Sequence, residues 1–293
     1  MKHIDEVLHM EWKKAKTIIM VALIIVNAIL FVANRYYYED YSMSQSEEKA
    51  IYELLEKNNI TLNTSLIKSY DPMSRLSVTV SLVNTDKMKD IFFDKDESIE
   101  TTMEFEQRIF TSFQSKLIIE GNKIRFTSIT GKGDLSVLSK DSAQILAESF
   151  LNKLGDEYSG YILDTVTFKN GGYQLEYYEY FKGYKIFCNY CKFFIDDNGI
   201  KSIESENYKI DGFVDETQEI VSVGEALLSY IYLRGGSNTN RVIEDIRIGY
   251  DIEQEEGIVD GTKVNLVPCY NIYELSYDDP IVIYAYNNDI KNN

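Results

Sequence analysis

Thr17–Asn34 reads TIIMVALIIVNAILFVAN, eighteen residues without a charge and dominated by Ile, Val, Leu, Ala and Phe. As a helix rising roughly 1.5 Å per residue it covers about 27 Å, close to the roughly 30 Å hydrocarbon core of a bilayer. Trp12 on one side and Tyr36, Tyr37 and Tyr38 on the other are amphipathic rings of the kind that settle at membrane interfaces, and they are the expected anchors. Lys13, Lys14 and Lys16 precede the stretch, whereas the chain turns acidic after Arg35, at Glu39, Asp40, Glu47 and Glu48. Lysine excess stays on the cytoplasmic side. The expectation is a single-pass protein of the cell membrane, with residues 1–16 as a cytoplasmic leader, 17–35 as the span and the remainder extracytoplasmic. Met10 supplies a second complete start, so the first nine residues read as an extension. A cleaved signal peptide is the rival reading. It would place the bulky Phe31 where a small residue is wanted for a cut after Ala33, which favours a retained anchor.

Asn27 lies about ten residues into the apolar run. Its amide is costly in hydrocarbon unless bonded, and a neighbouring membrane helix is one source of that bond. Helical spacing places Leu23, Ile24, Leu30 and Phe31 on its face, so these five residues are the candidate transmembrane contact surface. The plainer reading is an Asn bonded back to its own helix.

The chain has 293 residues and a net charge of −17. Residues 1–35 carry five bases against three acids, which leaves −19 on the rest. Such a surface repels nucleic acid and anionic lipid, so DNA binding is excluded, and solubility alone is enough to explain the acidity. The cysteines are Cys188, Cys191 and Cys269. C-N-Y-C lies inside YKIFCNYCKFF, which reads as a strand, and residues three apart on a strand point to opposite faces. Buried, inert thiols are expected, with a disulfide through Cys269 as the alternative. His3 and His9 are the only histidines, both ahead of the span, so no His-ligated metal and no Ser-His or Cys-His catalysis is expected beyond it. Neither G-x-S-x-G nor a phosphate-binding G-x-x-x-x-G-K-[ST] occurs, and no cofactor is implied.

Past the span, Ser46 with Glu47 and Glu48, then Ala50, Ile51, Leu54 and Leu55, predicts a helix ending at Asn58-Asn59. Leu76, Val78, Val80 and Leu82 alternate as one side of a strand, and Ile124, Phe126 and Ser128 as one side of another. A short helix is expected around Glu104 to Phe113. Ser139 with Ala143 and Ser222 with Ala226 then repeat an S-x-x-x-A helix start at an offset of 83 residues. Each predicted helix is followed by strands, with turns marked by Asn170-Gly171-Gly172, Lys182-Gly183 and Asp197-Asn198-Gly199. The expected class is α+β, with a helix on one face of each of several antiparallel sheets, and with units at 36–135, 136–215 and 216–293. The tyrosine-rich run Tyr173, Tyr177, Tyr178, Tyr180, Phe181 and Tyr184 reads either as a docking face or as a sheet covered by its own helix.

The opening M-E-W-K-K-A-K-T-I-I, Met10 to Ile19, running into a single span with an Asn near its middle, resembles the YycI family. The S-x-x-x-A helices with hairpins, YYEYFKGYKIF and the later NLVPCYNI, are similar to that family's PepSY-like repeats. The resemblance is most specific in the first 35 residues and elsewhere is one of element order. It implies a membrane-anchored accessory regulator of an essential two-component system of low-GC Gram-positive bacteria that governs cell-wall metabolism. The expected partners are the sensor histidine kinase, bound and restrained largely through the transmembrane helices, and a YycH-type protein. It implies no catalytic residue. A free-standing wall-associated or peptidase-inhibiting module is the alternative, since such repeats also occur in domains that hold proteases in check.

Overall fold

A computed structural model describes residues 16–33, 41–133, 135, 137–234, 239–253, 259–275, 277 and 279–291. Lys16–Ala33 forms one helix, α1, long and apolar enough to cross a membrane. The body that follows is α+β.

Local chemistry accounts for most elements. Ser44 caps α2 (Gln45–Lys57) in a reciprocal box with Glu47, two residues earlier than the sequence suggested. Ser139 caps α4 (Lys140–Leu154), and Ser222 caps α5 (Val223–Arg234) by exchanging bonds with Glu225 at 2.8 and 3.3 Å. A further helix, α3 (Thr85–Phe92), starts at the Asn84 cap and buries only Met88 and Phe92. The helix expected around Glu104 to Phe113 is instead a hairpin of β3 (Glu100–Glu104) and β4 (Gln107–Thr111), turning at Phe105 with φ +54. Leu82 lies past the end of its strand and is 46% exposed, whereas Leu76, Val78 and Val80 are buried as expected.

The other strands are β1 (Ile60–Leu62), β2 (Met73–Val80), β5 (Ser115–Glu120), β6 (Lys123–Lys132), β7 (Tyr161–Lys169), β8 (Gly172–Phe181), β9 (Tyr184–Asp196), β10 (Gly199–Glu206), β11 (Tyr208–Gln218), β12 (Arg241–Ile252), β13 (Lys263–Glu274) and β14 (Ile281–Tyr284). Separate antiparallel sheets were expected. Among the described residues, all strands join one sheet, which is mixed because β12 runs parallel to both β1 and β9. Ile186 of β9 and Tyr250 of β12, paired across the expected boundary, are both buried in one core, so this pairing leaves neither exposed.

Two cores share one face of this sheet. One gathers Leu55, Leu76, Val78, Leu227, Tyr230, Tyr250, Tyr270 and Ile272 beneath α2 and α5. The other gathers Phe92, Phe126, Ala147, Phe150, Tyr177 and Phe193 beneath α3 and α4. The expected segment 36–135 contributes α2, β1 and β2 to the first core and α3 with β3–β6 to the second.

The strand β9 passes from one core to the other. Between Tyr190 and Ile186 it holds three residues more than β8 does, and an odd insertion reverses the alternation of faces. Cys188 packs with the first core close to Asp251, Glu206 and Lys291, Cys191 lies in the second core, and all three cysteines are buried and free. In the same irregularity the Asn189 side chain takes the place of a strand backbone. It accepts the Tyr208 amide at 2.8 Å and donates to the Tyr208 carbonyl at 2.8 Å and to Glu179 at 2.6 Å. The tyrosine run is divided in the same way: Tyr177 lies under α4, Tyr178 and Tyr180 turn to the opposite face, and Phe181 and Tyr184 pack on the first core.

Candidate functional site

Two surfaces have unusual exposure or chemistry. The first is α1. Leu23, Ile24, Leu30 and Phe31 are each more than half exposed, and Asn27 is exposed beside them. Helical spacing puts the five on one side of α1, a helix exposed all round. An apolar helix exposed in this way is a candidate membrane anchor. The expected interface anchors Trp12, Tyr36, Tyr37 and Tyr38 lie outside the described residues, as do both histidines.

The second surface is the sheet face turned away from the helices, which local sequence patterns did not reveal. Side chains from β8, β9, β10, β12, β13 and β14 wall a trough with a cavity volume of about 510 Å³. Its charged lining is Glu176, Glu204, Glu206, Asp251 and Asp279 against Lys192 and Lys291, and its aromatic lining is Tyr178, Phe187, Tyr190 and Tyr273. Three phenols at this face are tied to carboxylates, whereas Tyr273 interacts with the Asn271 side chain. Tyr178 donates to Glu176 at 3.1 Å, Tyr190 to Glu204 at 3.1 Å, and the neighbouring Tyr208 to Glu206 at 2.7 Å. Burial, and then the adjacent acids, push all three phenols well above the ordinary tyrosine range, so they remain neutral donors. Lys291 reaches Asp251 at 2.9 Å, and that charge raises its ammonium pKa despite the opposing effect of burial.

Beneath one wall of the trough lies a second polar cluster. Asp164 on β7 receives the Lys185 ammonium at 2.9 Å, the Arg247 guanidinium at 2.6 and 2.7 Å, and the Tyr180 hydroxyl at 2.9 Å. Arg247 also reaches Asp245 at 2.5 Å. The Lys185 side chain is only 4% exposed and lies 3.5 Å from the centre of the Tyr178 ring. Burial lowers its pKa to about 8 against the pull of Asp164. Burial alone would raise the Asp164 carboxyl, but Lys185 and the bonds from Lys185, Arg247 and Tyr180 outweigh it and hold the group below its ordinary value. The cluster joins β7, β8, β9 and β12, so it links strands of both cores. The thiols of Cys188, Cys191 and Cys269 are all pushed up by burial and are poor nucleophiles.

No protein-family model matches the chain, and no curated protein matches it. Among solved structures it is similar to an uncharacterized protein from Eubacterium rectale ATCC 33656, at 12% identity over 79% of this chain and 89% of that one, with a TM-score of 0.50. It is also similar to the Bacillus megaterium YpeB C-terminal domain, at 12% identity over 72% of this chain and 97% of that one, with a TM-score of 0.38. A third similarity is to YycH from Bacillus subtilis, at 12% identity over 74% of this chain and 56% of that one, with a TM-score of 0.46. The chain thus spans little more than half of YycH. The first similarity bears on the fold alone, and the other two fall short of a shared-fold score.

Proposed function

We propose that this chain is a membrane-anchored accessory regulator that binds and restrains a sensor histidine kinase of a cell-wall two-component system, in company with a YycH-type protein. In this reading α1 crosses the cell membrane with the N-terminus cytoplasmic, and the body lies outside. The face Leu23, Ile24, Asn27, Leu30 and Phe31 docks on a membrane helix of the kinase or of the YycH-type partner. The observation that carries the proposal is α1 itself: an apolar helix, exposed along its whole length, with one amide in its middle. The kinase and the wall pathway come from the resemblance of Met10 to Ile19 and its span to the YycI family. The body acts as a regulator and not as a catalyst, a reading supported by trough acids held by phenols and lysines and by thiols raised through burial.

The test is Asn27→Leu in the full-length chain, read by cross-linking to the kinase in membranes and by kinase output. An interhelical bond of about 0.6 to 2 kcal/mol predicts roughly threefold to thirtyfold weaker association, with insertion and body unchanged. Unchanged cross-linking together with unchanged output would remove Asn27 from the mechanism.

A further inference from the structure

We propose that the trough on the helix-free face of the sheet is a docking site for a basic peptide segment of a partner protein, which presents Lys or Arg side chains to its acidic and aromatic walls. The inference is independent of how α1 is used.

Three observations lead to a cationic occupant. Five carboxylates against two ammonium groups line the trough, within a chain of net charge −17, so the local field and the whole-molecule field have the same sign. The aromatic wall already takes cations from the protein itself. Lys185 lies 3.5 Å from the Tyr178 ring centre, Lys192 5.1 Å from that of Tyr190, and Arg247 5.5 Å from that of Tyr273. The wall is thus built of rings that pair with ammonium and guanidinium groups. The cavity of about 510 Å³ lies within the range that holds a small ligand or a few side chains.

The same observations disfavour other occupants. A second copy of the chain brings another −17, and nucleic acid or anionic lipid is also repelled. Among the described residues no three His, Cys, Asp or Glu side chains gather as metal ligands, so a metal ion does not fit. A basic peptide is left as the occupant whose charge complements the walls.

The experiment uses the full-length chain in uncharged detergent micelles at low ionic strength, with fluorescent octa-arginine as probe and octa-glutamate as control. Wild type should bind octa-arginine and not octa-glutamate. Glu204→Lys with Asp279→Lys, both exposed rim positions, should weaken binding by about tenfold or more, as expected for two lost charge contacts. Glu100→Lys with Glu104→Lys on β3 changes the net charge equally, far from the trough, and should weaken it by less than about twofold. Equal losses in the two variants, or no binding of octa-arginine by wild type, would overturn the proposal. If the rim variant does not fold, hydroxyl-radical footprinting of wild type decides. Bound octa-arginine should protect Tyr190 and Tyr273 relative to Tyr232, which is 92% exposed on α5. Unchanged labelling of the pair would also overturn it.

Discussion

Asp164 sits in the irregularity of β7 and takes both Lys185 and Arg247, so one carboxylate answers two cations. Arg247, which reaches Asp164 through Nη1 and Asp245 through Nε, is the better served of the two, and Lys185 carries the cost of burial, which is why its pKa falls to about 8 while that of Arg247 rises. Removing the carboxylate leaves a buried ammonium without its partner. Asp164→Ala should therefore cost about 3 to 5 kcal/mol in a denaturant titration at neutral pH. The pH dependence follows from the two depressed values. The contribution of Asp164 is full above the ordinary Asp range and is lost as pH falls through its lowered folded value. For Lys185 the unfolded chain holds the proton up to its ordinary 10.5, whereas the folded chain releases it from about 8, so stability rises with pH between those values. Wild type minus Lys185→Met cancels the tyrosine ionisations that begin near pH 10. That difference should grow by about 1 to 2 kcal/mol between pH 7.5 and 9.5. A flat difference would show that Lys185 is not buried as a cation.

At the scale of elements, the joint between β9 and β12 is made by Lys185 and Ile186 against Gly249 and Tyr250. Gly249 is required by close approach: a Cβ there would collide with the Lys185 carbonyl and the Phe187 ring, and backbone cannot step aside. Gly249→Ala should cost about 2 to 3 kcal/mol in thermal or denaturant unfolding. Gly224→Ala is the control, since its Cβ meets the mobile end of Ile51 and alanine favours the helix, so a change within about 1 kcal/mol is expected. Equal effects in the two variants would mean that the joint is not tightly packed. Neither contact was legible in the sequence. What the sequence does carry is local: the apolar helix α1, the Ser139 and Ser222 caps, and the hairpins closed at Asn170-Gly171 and Lys182-Gly183, each written within a few residues. The β3–β4 hairpin was misread because its turn places Phe105, not Gly or Asn, at positive φ, while its acidic flanks resemble a helix start. The trough was not legible, because its walls combine outward positions from six strands that only long-range pairing brings together.

Over the whole molecule, the two cores are not laid end to end. The core beneath α3 and α4 is built from residues between Met88 and Ile203, and the chain enters and leaves that stretch through Val80 and Tyr208, which are direct partners on β2 and β11. One unit is thus inserted into a hairpin of the other, so α2, β1 and β2 wait for the last third of the chain before their core can close. Such an insertion tends to fold and unfold by itself unless something ties it to its host. Here β9 does so: Ile186 and Cys188 belong to one core, Cys191 and Phe193 to the other, with no break in the strand, and Asn189 clamps Tyr208 beside them. Loss of either core exposes half of β9 and strands the Asp164 cluster, which makes independent melting costly. Scanning calorimetry of the body should accordingly give one transition with equal calorimetric and van't Hoff enthalpies, and Gly249→Ala should split it by loosening the joint. Two resolved transitions in the unaltered protein would mean that β9 does not couple the cores, and that a ligand in the trough, which touches strands of both, would be sensed by each core separately.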